Sequence, residues 1–151
     1  MSFEKTLTDK GITLPDAPAP AANYVPFARS GNLIFVSGQI SADENGLIQG
    51  KLGETMDVEA GAAAARRCGL ALIAQLRAAT GSLDNVRRVV KLTGFVNSTP
   101  DFTDQPKVIN GCSDLMVEVF GDAGRHARAA VSAAALPLGV AVEIEAIFEV
   151  E

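Results

Sequence analysis

The sequence predicts an α+β fold, a largely antiparallel sheet with two helices packed on one face. Strict alternation at the end of the chain is the first reason. Val140, Val142, Ile144, Ala146, Phe148 and Val150 share one strand face, and Glu143, Glu145, Glu149 and Glu151 line the other with Ala141 and Ile147. The second is a pair of segments, starting near Val58 and Val108, whose apolar residues recur at three- and four-residue steps. The third is their order: strands, helix, strand, helix, strands.

Each element follows from local chemistry. Phe3 and Leu7 are four apart and Gly11 can end a short helix after Lys10. Leu14 to Pro20 is proline-rich, extended linker-like chain. Residues 1–22 therefore read as an N-terminal extension and 23–151 as one domain. Tyr24 to Ala28 and Asn32 to Val36 are expected to pair as strands across Arg29-Ser-Gly-Asn32. Asp43-Glu-Asn-Gly46 marks a turn before a short strand, Leu47 to Gln49.

Asp57 is a favourable N-cap for the longest helix, Val58 to Ala79, which Gly81 closes. Val58, Ala62, Ala65, Gly69, Leu72, Ile73 and Leu76 make one face apolar and mostly small. Val86 to Asn97 alternates as a strand, and Pro100-Asp101 begins a loop. Val108, Cys112, Leu115, Met116, Val119 and Phe120 form the second amphipathic helix, ended by Gly121. Strands at His126 to Ala133 and Val140 to Val150 complete the sheet. Its face away from the helices carries Lys91, Thr93, Glu143 and Glu145 interrupted by Phe95 and Ile147, a pattern that a symmetric oligomer would cover.

Composition narrows the function. At 151 residues, 48% hydrophobic and 21% charged, the chain can bury a core without a metal or disulfide. A net charge of -5 argues against broad capture of nucleic acid or anionic membrane, though not against a small basic pocket. No apolar run approaches the ~20 residues of a membrane span. Cys68 and Cys112 lack metal spacing and lie in helical patterns, which predicts reduced, buried thiols and a cytoplasmic protein.

Arg128 stands out on an apolar, small-residue strand. It fits two roles: a structural cation paired with Glu143 or Glu145, or a ligand anchor. Tyr24 alone would be a half-buried aromatic. Ser37-Gly38-Gln39 could be turn chemistry, with Gly38 permitting close backbone approach. His126, the sole histidine, precedes Arg128 by two and should share its face, where an interface role suits it better than that of a general base. Arg66-Arg67 and Arg87-Arg88 read as solvated basic pairs rather than a nucleic-acid footprint.

Several motifs occur together and in order: Tyr24, Gly31-Asn-Leu-Ile-Phe-Val-Ser-Gly-Gln-Ile40, Arg128-x-x-Val-x-x-x-x-Leu136-Pro137 and Val142-Glu-Ile-Glu-Ala-Ile147. In these the chain resembles the reactive intermediate (imine/enamine) deaminase family, RidA or YjgF-like, from about Tyr24 to the C-terminus. The proline-rich extension and the longer Pro106–Gly121 region suggest a divergent, longer branch. The resemblance implies a chorismate-mutase-like fold and a homotrimer, with the sheets forming a central barrel and a ligand cleft between neighbouring subunits. It also implies hydrolysis of short-lived 2-imino acids or their enamines to 2-keto acids and ammonia, without metal or cofactor.

By the same resemblance Arg128 anchors the carboxylate of a small metabolite and Glu143 orients the attacking water. Tyr24 closes the cleft from a neighbouring subunit, and Ser37, Gly38 and Gln39 lie at the cleft floor. Glu145 is read as scaffold. The chemistry is coherent. A guanidinium grips a carboxylate through two parallel hydrogen bonds, and a carboxylate can orient and partly deprotonate water. Ala130 stands where many family members carry a cysteine, so any chemistry of that thiol is absent here. Two other readings remain: a non-catalytic trimer that binds small carboxylates or protects proteins, and, least favoured by the charge and the single histidine, a ribonuclease.

Overall fold

The structure, a computed structural model, describes residues 2–18 and 23–151, so the end of the expected linker lies outside the described residues. The elements run α1 (Phe3–Asp9), β1 (Phe27–Ser30), β2 (Leu33–Ile40), β3 (Ala42–Asp43), β4 (Gly46–Leu47), α2 (Val58–Thr80), β5 (Val86–Asn97), α3 (Gln105–Phe120), β6 (Ala127–Ala133) and β7 (Val142–Val150). The main sheet has the order β1-β2-β7-β5-β6.

β7 pairs antiparallel with both β2 and β5, so the most regularly alternating strand lies at the sheet centre. The sheet is mixed rather than uniformly antiparallel, because β6 runs parallel to β5. Connectivity explains this. The chain leaves β5, crosses through α3 and re-enters the sheet from the same end, and such a crossover demands parallel pairing.

Burial follows the predicted alternation. Val142, Ile144, Ala146, Phe148 and Val150 pack beneath the helices with Leu92, Val96, Leu72, Leu76, Leu115 and Met116. Phe35 and Val131 are exposed on the outer face, where β5 and β7 set Thr93 opposite Glu145 and Phe95 opposite Glu143. The Asp57 side chain accepts a hydrogen bond from the Ala60 N–H, so α2 starts where the sequence places it. Asp57→Ala is expected to cost about 1 kcal/mol, a fall of about 2–4 °C in melting temperature by calorimetry.

The first hairpin differs from expectation. Its strands begin at Phe27 and Leu33, with Gly31-Asn32 as a tight turn and φ of 59° at Gly31. Pro26, inside the predicted first strand, has no N–H for a ladder, so pairing starts after it. The short strand after the Asp43–Gly46 turn also moves: β4 pairs with β3, while Gln49 bridges Val140. A third helix joins the two expected in the layer. α1 sinks Leu7 into the core, sets Phe3 edge-on against Phe120 at 5.0 Å, and its Glu4 accepts from the Leu83 N–H and pairs with Arg77. The start of the chain is thus packed onto the body of the protein.

Candidate functional site

β2 carries a bulge. Its register with β7 steps from Val36↔Ala146 to Gln39↔Ile144, which leaves Ser37 and Gly38 as the irregular residues. Since β1 covers β2 only as far as Val36, the following edge of β2 is free of β1. The segment before β1 crosses there instead. Ser37 N–H donates to the Pro26 carbonyl at 2.9 Å and its hydroxyl to the Val25 carbonyl at 2.7 Å.

A cavity of about 560 Å³ opens at this point. Tyr24, Gly38, Gln39 and Glu143 line it with apolar walls from Pro26, Ile40, Leu47 and Leu138. Glu143 lies against the glycine. A Cβ on Gly38 would collide with the Glu143 carboxylate, with Cδ at 3.0 Å and Cγ at 3.2 Å. Burial, and after it the adjacent Glu145 carboxylate, raises the Glu143 pKa above its ordinary value. Gln39 is buried and donates to the Ser37 carbonyl within the bulge.

Sequence reading missed several walls. Pro18 and Gln75 line the same cavity, joined by a 2.6 Å hydrogen bond from the Gln75 amide to the Pro18 carbonyl. A glutamine set within the apolar run Leu72-Ile-Ala-Gln-Leu76 was the available signal, and the structure buries it. Leu138 projects 66% exposed from the turn before β7, at a φ of 58° that is rare for such a side chain.

Arg128 lies elsewhere. It is on the edge strand β6, in register with the buried Leu92 on the helix side of the sheet, whereas Glu143 is in register with Phe95 on the opposite side. One arginine nitrogen, Nη1, donates to Asn110 Oδ1 at 2.8 Å and to Ser113 Oγ at 3.2 Å, both on α3. Its Nε and Nη2 have no hydrogen-bond partner among the described residues. No ion pair with Glu143 or Glu145 forms among these residues, so the structural-cation reading of Arg128 fails within one chain. Within one chain Glu143 shares its cavity with Tyr24 and not with Arg128, so the expected set of Arg128 and Glu143 from one chain with Tyr24 from another is not assembled there. Alternation along a strand reveals a side chain's face but not which strand intervenes, and β5 separates the two residues.

The remaining candidates resolve simply. Cys68 and Cys112 are buried free thiols, and burial pushes Cys112 up to about 12. Arg66 pairs with Glu118 at 3.1 Å and Arg67 with Glu44 at 3.0 Å, so these cations engage the chain's own carboxylates rather than only solvent. Among the described residues no cluster of three or more His, Cys, Asp or Glu side chains could hold a metal ion. Among the described residues no helix is long and apolar enough to cross a membrane.

Comparison with known proteins fits this architecture. A family described as "YjgF/chorismate_mutase-like, putative endoribonuclease" matches residues 4–149. Protein TCP17 of Trypanosoma cruzi is 53% identical over 141 residues, 92% of this chain and 88% of that protein. The crystal structure of Atu1372 from Agrobacterium tumefaciens, of unknown function, superposes with a TM-score of 0.90 at 47% identity, over 99% of this chain and 92% of that one. TdcF of E. coli, solved with bound serine, gives a TM-score of 0.63 at 29% identity, over 89% of this chain and 94% of that one. With a match that spans nearly the whole chain and the corresponding α+β architecture, this protein belongs to the YjgF/RidA family.

Proposed function

We propose that the protein hydrolyses reactive 2-imino acids, or their enamine tautomers, to 2-keto acids and ammonia, in a cleft between subunits of a homotrimer. The observation that carries this reading is Arg128. It is held at one nitrogen by α3, and the Nε–Nη2 edge of its guanidinium has no partner among the described residues. That edge is the one that receives a carboxylate through two parallel hydrogen bonds. The bound serine in the relative TdcF, itself an amino acid with a carboxylate, supports a ligand of this class.

In this reading a neighbour's Arg128 faces the cavity of Tyr24 and Glu143, and the exposed Phe35 and Val131 on the outer sheet face meet their counterparts at the subunit contact. The guanidinium fixes the substrate carboxylate, which holds the adjacent imine carbon in place. Glu143 takes a proton from water as the oxygen attacks that carbon. Glu143 returns that proton to the nitrogen of the carbinolamine formed from the protonated imine, and loss of the hydroxyl proton to solvent expels ammonia and leaves the keto acid. The raised pKa makes Glu143 a stronger base than an ordinary carboxylate. Free imines hydrolyse on their own, so modest acceleration suffices and no covalent intermediate is needed. The alternative, a trimer that only holds small carboxylates, uses the same Arg128.

The test couples the protein to a dehydratase that generates 2-iminobutanoate and follows keto-acid formation. The wild type should accelerate it. Because the Glu143 pKa is raised, the working carboxylate is present above that pKa and lost below it, so the rate should rise with pH through a step above the usual carboxylate value of 4.5. Glu143→Gln should abolish that step and lower the rate by about a hundredfold. A wild-type rate equal to buffer at every pH overturns the enzyme and leaves the binding protein.

A further inference from the structure

We propose that Ser113 and His126 are positioning residues for Arg128, fixing which edge of its guanidinium receives a carboxylate. This rests on the carboxylate-anchor role given to Arg128 above. The direction of each hydrogen bond can be worked out. His126 Nδ1 lies 2.6 Å from the Gly124 carbonyl oxygen, which can only accept, so Nδ1 carries the proton. In a neutral imidazole Nε2 is then an acceptor, and Ser113 Oγ, 2.9 Å away, must donate to it. Partial burial lowers the His126 pKa and favours the neutral ring; the Gly124 hydrogen bond opposes this and the Arg128 charge adds to it, with the net shift downward.

With its proton committed to His126, the Ser113 oxygen turns its lone pairs to Arg128 Nη1 at 3.2 Å. Asn110, one helical turn earlier on α3, accepts from the same nitrogen at 2.8 Å. Both hydrogens of Nη1 are thereby used on the protein. The donors left over are Nε–H and the Nη2 hydrogens, which point along one edge in the parallel arrangement a carboxylate matches. Without the Ser113 contact the guanidinium can rotate about its long side chain, and ordering it then weakens each binding event.

The experiment is calorimetric titration of 2-oxobutanoate into full-length protein, with melting temperature and histidine nitrogen NMR as parallel readouts. Ser113→Ala should weaken binding about tenfold, the worth of one hydrogen bond to a charged group, with little change in melting temperature. Ser113→Thr, which keeps the hydroxyl, should restore it. The wild-type ring should report protonation at Nδ1, and His126→Phe should weaken binding as Ser113→Ala does. Arg128→Ala serves as reference. If it loses affinity while Ser113→Ala and His126→Phe do not, the positioning role is overturned and the anchor reading stands. If Arg128→Ala binds as tightly as wild type, the anchor reading fails and the positioning role with it. Failure of Ser113→Thr to restore affinity would assign the loss to packing on α3 and overturn the proposal.

Discussion

Arg128→Ala is expected to lower kcat/KM for 2-iminobutanoate by about a hundredfold or more while leaving the protein folded. The size follows from losing two charge-assisted hydrogen bonds and the positioning of the imine carbon that depends on them. The small effect on stability follows from the partners of Arg128. It makes hydrogen bonds to Asn110 and Ser113 but no ion pair among the described residues; when it is gone the exposed Asn110 can turn to solvent and Ser113 keeps its hydrogen bond to His126. Arg128→Lys should fail nearly as badly, because a compact ammonium supplies a point charge but not the planar fork. The coupled dehydratase assay measures the first effect and a thermal melt the second. Retained turnover in Arg128→Lys would mean that charge alone suffices and that the bidentate geometry is dispensable.

Gly111→Ala is expected to carry a large cost to the fold, about 2–3 kcal/mol and about 4–12 °C in melting temperature. Gly111 lies on α3 where it crosses α2. An added Cβ there would run into the Ala62 carbonyl, with the carbonyl carbon at 2.7 Å and Cα at 3.0 Å. Helix propensity favours alanine by about 1 kcal/mol, but the obstacle is backbone and can yield only if the helices separate. Gly69→Ala provides the contrast at the same helix pair. Its new Cβ would meet Leu115 Cδ2 at 2.9 Å and Cys112 Sγ at 3.0 Å, both side-chain atoms able to shift. Calorimetry should therefore rank Gly111→Ala well below Gly69→Ala in stability.

Much of the fold was legible because burial imposes a period. β5 starts and ends where its alternation predicts, and α2 begins at its Asp57 cap and ends at Gly81, where φ of 81° gives the left-handed close. The hairpin was misplaced by a few residues because Tyr24 to Ala28 also looks like strand, and Pro26 decides against it only through a missing ladder donor. The parallel edge could not be read from periodicity. It depends on the return of the chain through α3, and a strand carries the same pattern in either direction.

For the candidate site, the sequence by itself determined which side chains are chemically unusual: an arginine on a small-residue strand, acids alternating along β7, and a glycine two residues after Val36 that permits close backbone approach. It also showed that the outer sheet face is half polar and half apolar. Only the tertiary structure decided how these residues are grouped. It joined Tyr24, Gly38, Gln39 and Glu143 in one cavity, placed β5 between that group and Arg128, and tied Arg128 to Ser113 and His126 through α3. The reason is physical. Side-chain direction along an element is fixed by backbone geometry over a few residues, whereas the neighbours met across a sheet or helix are fixed by chain crossings that no local period records.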